Sequence, residues 1–118
     1  MSHTATIKTQ VRDRSAVEFA CRRRNLPAPV EGEFRFGGTR NAGLGVNLRG
    51  WHYPLVCKLE TGELAYDNYG GAWGEQKELD GFLQAYAVEK AKIEARKRGH
   101  SASERVESDG SIVVTINT

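Results

Sequence analysis

The stretch that most constrains this chain runs from Glu75 to Arg98, where apolar residues recur at helical spacing. Leu79, Phe82, Leu83, Tyr86 and Ile93 fall on one stripe, and Gly99 follows as a helix stop. Glu75, Glu78 and Asp80 stand at the start and Arg96, Lys97 and Arg98 at the end, an order that complements the helix dipole. A helix that is apolar on one side needs a second layer to cover it. The rest of the chain must supply that layer.

It supplies mostly strands. Positions 4–11 alternate, with Ala5, Ile7, Thr9 and Val11 on one side and Thr6, Lys8 and Gln10 on the other. Asp13 then offers an N-cap to a short helix carrying Ala16, Val17, Ala20 and Cys21, which ends near Asn25. After the stiff connector "LPAPV", Phe34 and Phe36 share one strand face, as do Leu44, Val46 and Leu48. "GGTRNAG" between them reads as a flexible connection with Arg40 exposed. Tyr53, Leu55, Cys57 and Leu59 form a third set, with Pro54 at an edge or a strand start. "ETGE" is a hairpin turn, and Leu64 to Tyr66 continue the sheet. The closing "ERVESDGSIVVTINT" reads as a hairpin turning at Asp109-Gly110 and completing the sheet. The expected fold is α+β: one domain over 1–118, a mostly antiparallel sheet with two helices packed on one face. The long-helix stripe is expected against Ile7, Val46 and Leu55.

The sequence of 118 residues can bury a single core without staples. Its 39% hydrophobic and 27% charged content is that of an ordinary globular protein, and a net charge of +2 does not imply a polyanionic partner. No apolar run approaches the ~20 residues of a membrane span. The opening "MSHTATIKTQ" lacks the apolar region of a secretory leader. Cys21 and Cys57 both sit in apolar patterns, as buried unpaired thiols of a reducing compartment do. A cytoplasmic location is the expectation.

The opening "MSHTATIKTQVRD" also resembles the start of the hypothetical-chloroplast-frame thirty-five proteins, an uncharacterised family of plastids, cyanobacteria and other bacteria. The matching residues are Met1, Ser2, His3, Thr6, Ile7, Lys8, Thr9 and Asp13. "GLGVNLRGWHYPLV" is similar to that family's central strand pair. "FLQAYAVEKAKIEARKRGH" is similar to its long helix, through Phe82, Leu83, Tyr86 and Gly99, and "ESDGSIVVTI" to its closing hairpin. The resemblance covers nearly the whole chain. It implies a fold and brings no catalytic residue.

Candidate sites follow from residue chemistry. "YDNYGGAWGEQ" at 66–76 joins sheet to long helix and carries Tyr69 and Trp73. With Trp51, these are candidate anchors for a protein partner, because aromatics are enriched at interface centres. The alternative is that the glycines make a bend and the aromatics roof the core. A phosphate at that helix start is disfavoured by Glu75, Glu78 and Asp80. Arg22, Arg23, Arg35, Arg40 and Arg49 are the residues a nucleic-acid-binding surface would use, if aromatic platforms lay beside them. Arg22, Arg23 and Arg24 alone fan around a helix and read as a solvated face. "GGTRNAGLGVNLRG" fails as a nucleotide loop, since Leu48 stands where the third glycine is needed.

His3, His52 and His100 form no metal-ligand spacing with the cysteines. His52, Cys57 and Lys90 remain as the nucleus of a small-ligand or enzymatic site. Lys90 is the odd one, a lysine in the middle of an apolar stripe that either snorkels to water or carries a lowered pKa. No catalytic residue and no cofactor is assigned. The leading expectation is a non-enzymatic accessory or adaptor module that binds another protein. A nucleic-acid-binding module comes next, and an enzyme or ligand binder third.

Overall fold

The computed structural model describes residues 3–118, so Met1 and Ser2 of the family resemblance lie outside the described residues. Its sheet is assembled from β1 (Ala5–Lys8), β2 (Val30–Phe36), β3 (Thr39–Val46), β4 (Leu55–Lys58) and β5 (Glu63–Tyr66), in the order β1-β5-β4-β3-β2. Every neighbouring pair is antiparallel. The helices are α1 (Arg14–Arg23) and α2 (Gln76–Lys97), and β6 (Ser101–Val106) and β7 (Ile112–Asn117) close the chain. The fold is α+β, as the sequence pattern requires.

Register explains the core. Leu44, Cys57, Leu64 and Ile7 are cross-strand partners in one row, so all four side chains take the same face. Val17, Ala20 and Cys21 of α1 and Leu79, Phe82 and Tyr86 of α2 join that row, with Val46 and Leu55, in a single cluster. Leu83 and Ile7 pack at its margin. Both helices thus lie on one face. Each large side chain buried there contributes about 1.5–3 kcal/mol. The opposite face holds a smaller cluster of Phe36, Val56 and Ala65 flanked by Phe34 and Tyr53, with no helix residue in it.

The helix ends follow local chemistry. The Asp13 carboxylate accepts from the Ala16 N–H (3.2 Å), and α1 stops at Asn25 with φ 57°. The Tyr86 hydroxyl, projecting from α2, accepts from the N–H groups of Arg12 and Asp13 and donates to the Gln10 carbonyl. One phenol therefore fixes the connector between β1 and α1.

Four expectations need correction. The closing hairpin does not complete the main sheet; β6 and β7 form a separate two-stranded sheet. It packs on α2, tied by Arg23, which holds Glu104 through two hydrogen bonds (2.9 and 2.8 Å) and Glu89 through a third. "GGTRNAG" is not a flexible connection: Thr39 onward is strand, and the turn is only Gly37-Gly38, both at positive φ as a two-residue hairpin requires. The first strand ends at Lys8, because its partner β5 begins at Glu63 beside the Gly62 turn. Tyr53 does not share a face with Leu55, Cys57 and Leu59; it precedes Pro54, outside β4, and joins the opposite cluster.

The sheet also curls. Thr4, just before β1, donates its hydroxyl to the Phe36 carbonyl (3.1 Å) and lies 2.8 Å from the Thr39 hydroxyl. The two edge strands therefore meet at the β2–β3 turn.

Candidate functional site

The chain leaves β5 through Asp67 and Asn68, makes a short 3-10 turn at Tyr69–Gly71, and enters α2 at Gln76. Three successive residues, Tyr69, Gly70 and Gly71, take positive φ (47°, 62° and 101°). The glycines adopt this freely, whereas a tyrosine there is strained by about 1–2 kcal/mol. Hydrogen bonds hold the turn. Asn68 O accepts from the N–H groups of Gly71 (3.0 Å) and Trp73 (2.9 Å), the Asn68 amide donates to Gly74 O, and Asp67 Oδ1 accepts from Tyr69 N–H (3.1 Å).

The aromatic residues sort into two roles. Trp51 is a roof. Its ring packs on the main core and lies so close over Gly74 that a Cβ there would sit 2.5 Å from it. Its indole N–H donates to the Glu75 carbonyl (3.1 Å). Trp73 is half-buried, with Tyr69 edge-on at 4.6 Å, His52 at 5.2 Å and Tyr53 at 5.8 Å between ring centroids. Tyr69 is 43% exposed. The rings continue through Tyr53 to Phe36 (5.7 Å). Sequence reasoning missed Tyr53, since alternation assigned it to the helix-side core. It also missed Asp67, which is 1% exposed and whose Oδ2 has no hydrogen-bond partner among the described residues.

The arginines do not gather into one surface. Arg23 is held by Glu89 and Glu104, and Arg24 by Glu78 (3.3 Å). Arg49 donates to the Arg24 carbonyl (2.6 Å) and lies 3.6 Å from Glu78. Arg22 stacks over the Phe19 ring at 5.2 Å. Arg35 and Arg40 are brought together, directly opposed across β2 and β3. Arg40 reaches Glu33 (3.5 Å) in solvent, and Arg35 makes no ion pair or hydrogen bond among the described residues.

The third set is dispersed. His52 is exposed in the β3–β4 connection, while Cys57 is 0% exposed in the helix-side core. Burial pushes the Cys57 thiol up to about 12 and, with the Glu18 charge, Cys21 up to about 11. Neither is a thiolate at neutral pH. Lys90 lines a mostly apolar cavity of about 700 Å³ with Val11, Leu83 and Tyr86. Its ammonium donates to Glu94 (2.8 Å) and Asp13 (3.0 Å), and these bonds raise its pKa. A lysine so held is a fixed cation, not a nucleophile.

No family model, curated protein or solved structure matches the chain.

Proposed function

We propose that the chain is an accessory module that binds another protein through the bend between β5 and α2, with no chemistry of its own. One observation carries this reading: a tyrosine in left-handed backbone, 43% exposed, at the tip of a hydrogen-bonded turn. A strained, fixed aromatic presents contact area while losing little entropy on binding. Trp73 supports the ring from behind, and Trp51 anchors the turn to the core; they act as its base. The nucleic-acid reading is weaker, because Arg23 and Arg49 already serve carboxylates and a carbonyl. Resemblance to the hypothetical-chloroplast-frame thirty-five proteins belongs to the same proposal, and the two unpaired buried thiols support a reducing, cytoplasmic setting.

The test is site-specific photo-crosslinking in cells. A crosslinker at Tyr69 should give discrete adducts that one at exposed Glu60, on the β4–β5 turn, does not. The same adduct pattern from both positions would overturn the reading.

A further inference from the structure

The closing hairpin leaves a backbone edge open. Among the described residues β7 pairs only with β6. Its run of Ile112, Val113, Val114, Thr115 and Ile116 is β-branched throughout and carries no charge, proline or bulge, the devices that keep edge strands apart. The other edges carry such devices. Strand β6 bears Glu104 and Arg105, and β2 bears Glu31, Glu33 and Arg35. Strand β1 is closed at Thr4, whose hydroxyl donates to the Phe36 carbonyl. The phase of the ladder shows what β7 offers. The Glu107 N–H donates to the Ser111 carbonyl (2.8 Å), so residues 107 and 111 are a hydrogen-bonded pair. Alternation then turns the N–H and C=O groups of Val113 and Thr115 toward β6, and those of Ile112, Val114 and Ile116 outward. Val113 and Ile116 also leave apolar surface exposed, 38% and 40%. A two-stranded sheet is by itself marginal in water, and a further strand would strengthen it.

We propose that β7 pairs antiparallel with β7 of a second copy of this chain, joining the two hairpins into one four-stranded sheet about a two-fold axis. Centred on Val114, the pairing sets Val114 against its own copy and Ile112 against the partner's Ile116. These pairs exchange both backbone bonds, about six in all. On the outer face Val113 meets the partner's Thr115. Every one of these pairs is uncharged and β-branched, so nothing in the register repels. The same operation on β6 would set Glu104 against Glu104, which like charge opposes. Charge also selects the occupant. An acidic or basic strand from another protein finds no opposite charge on β7, whereas β7 is complementary to itself. One strand pair is a small interface, so the dimer is weak and half formed at about 10–100 µM. This goes beyond the protein-binding reading and stands without it, since β7 and the bend share no residue.

The experiment is sedimentation velocity on the purified full chain from about 2 µM to about 500 µM, a range that brackets this affinity. The mass should rise from 13.1 kDa toward twice that value and stop there. Val113→Lys puts a charge on the edge, and Ile116→Pro removes an outward N–H that makes no bond within the chain; each should weaken the dimer about tenfold or more. Ser103→Lys, on the outer face of β6, should leave it unchanged. Val114→Cys should form a disulfide-linked dimer on mild oxidation, because Cα atoms of a bonded pair lie about 5.5 Å apart, within disulfide reach. Ser103→Cys should not, and Cys21 and Cys57 are buried and stay out of the reaction. Hydrogen exchange in β6 checks that each variant keeps its hairpin. The proposal is overturned by a chain that stays monomeric at every concentration, by a mass that grows past two copies, or by a dimer that Val113→Lys and Ile116→Pro leave as tight as the parent. Crosslinking from Ser103→Cys as ready as that from Val114→Cys would overturn the register.

Discussion

Replacing Tyr69 separates folding from binding, because its backbone and its ring act in opposite senses. At φ 47° any residue with a Cβ is strained by about 1–2 kcal/mol, while glycine is not. Tyr69→Ala removes the ring and keeps the strain. Tyr69→Gly removes both. Each loses the edge-on contact with Trp73, about 0.5–1.5 kcal/mol, and the buried part of the ring. The glycine variant also loses about 0.4–1 kcal/mol through its freer unfolded chain. The difference between the two variants isolates the backbone contribution: glycine should be more stable than alanine by about 0.5–1 kcal/mol. Both should lose the crosslinked partner to the same extent. Urea denaturation of the two variants, run beside partner retention at two salt concentrations with nuclease treatment, measures both quantities. If alanine equals or exceeds glycine in stability, the strain argument fails. If partner retention tracks stability instead of the ring, Tyr69 is only a roof.

Trp73→Ala should lower stability by about 3 kcal/mol as a supporting residue, checked by the same denaturation curves. Tyr86→Phe leaves the N–H groups of Arg12 and Asp13 without their acceptor and should cost about 1–3 kcal/mol with the fold intact by circular dichroism. Arg23→Met strands the Glu89 carboxylate, 8% exposed, and leaves Glu104 only its longer contact with Lys92 (3.4 Å); hydrogen exchange in β6 and β7 should speed up while the main sheet stays protected. Burial opposes ionisation of Asp13, but hydrogen bonds from Lys90 and the Ala16 N–H outweigh it and hold its pKa below the usual value. Its stabilisation is therefore present above about pH 4 and lost as pH falls through the depressed folded value. The raised pKa of Lys90 places the loss of its own contribution at strongly alkaline pH. Asp13→Asn should flatten the acid limb of a melting-temperature profile.

Where a residue's neighbours in sequence decide its conformation, the sequence was legible. The Asp13 cap, the stop at Asn25, the turns at Gly62 and Gly110 and the α2 stripe all follow from local chemistry and all stand in the structure. Cys21 and Cys57 are unpaired and buried on a helix and a strand, as their apolar settings indicate. Choices made over long range were not legible. Period-two alternation in "SIVVTIN" is the same whether the hairpin joins the main sheet or seats on α2; ties from Arg23 of α1 and from Gln84 and Lys92 of α2, all distant in sequence pattern, hold it on the helix. Lys90 looked misplaced although Glu94, four residues on, receives it; its second carboxylate, Asp13, lies far away in sequence and was not legible. "GGTRNAG" looked loose because its glycines hid a strand whose neighbours provide the side chains. Within the candidate site, the bend and its aromatics were visible, whereas the opposed pair Arg35 and Arg40 depended on hairpin register.

A well-ordered domain satisfies local rules nearly everywhere, so the places where it does not are informative. Three such places occur at the bend and at the β2–β3 hairpin. Tyr69 holds a left-handed backbone without being glycine. Two residues before it, Asp67 keeps a buried oxygen without a partner. Where the aromatic row ends at Phe36, on the other face of the same β2–β3 hairpin, Arg35 is directly opposite Arg40. Each feature costs stability by a different mechanism: torsional strain, desolvation and like-charge repulsion. Any one alone could be an accident of packing. The row of Tyr69, Trp73, Tyr53 and Phe36 runs from the bend to the β2–β3 hairpin, with successive ring centroids 4.6, 5.8 and 5.7 Å apart. Arg23 and Lys90, at the two ends of α1, are by contrast each matched to two carboxylates, so the buried charges of the helix layer are satisfied where the aromatic row leaves a strained backbone and an unpartnered oxygen.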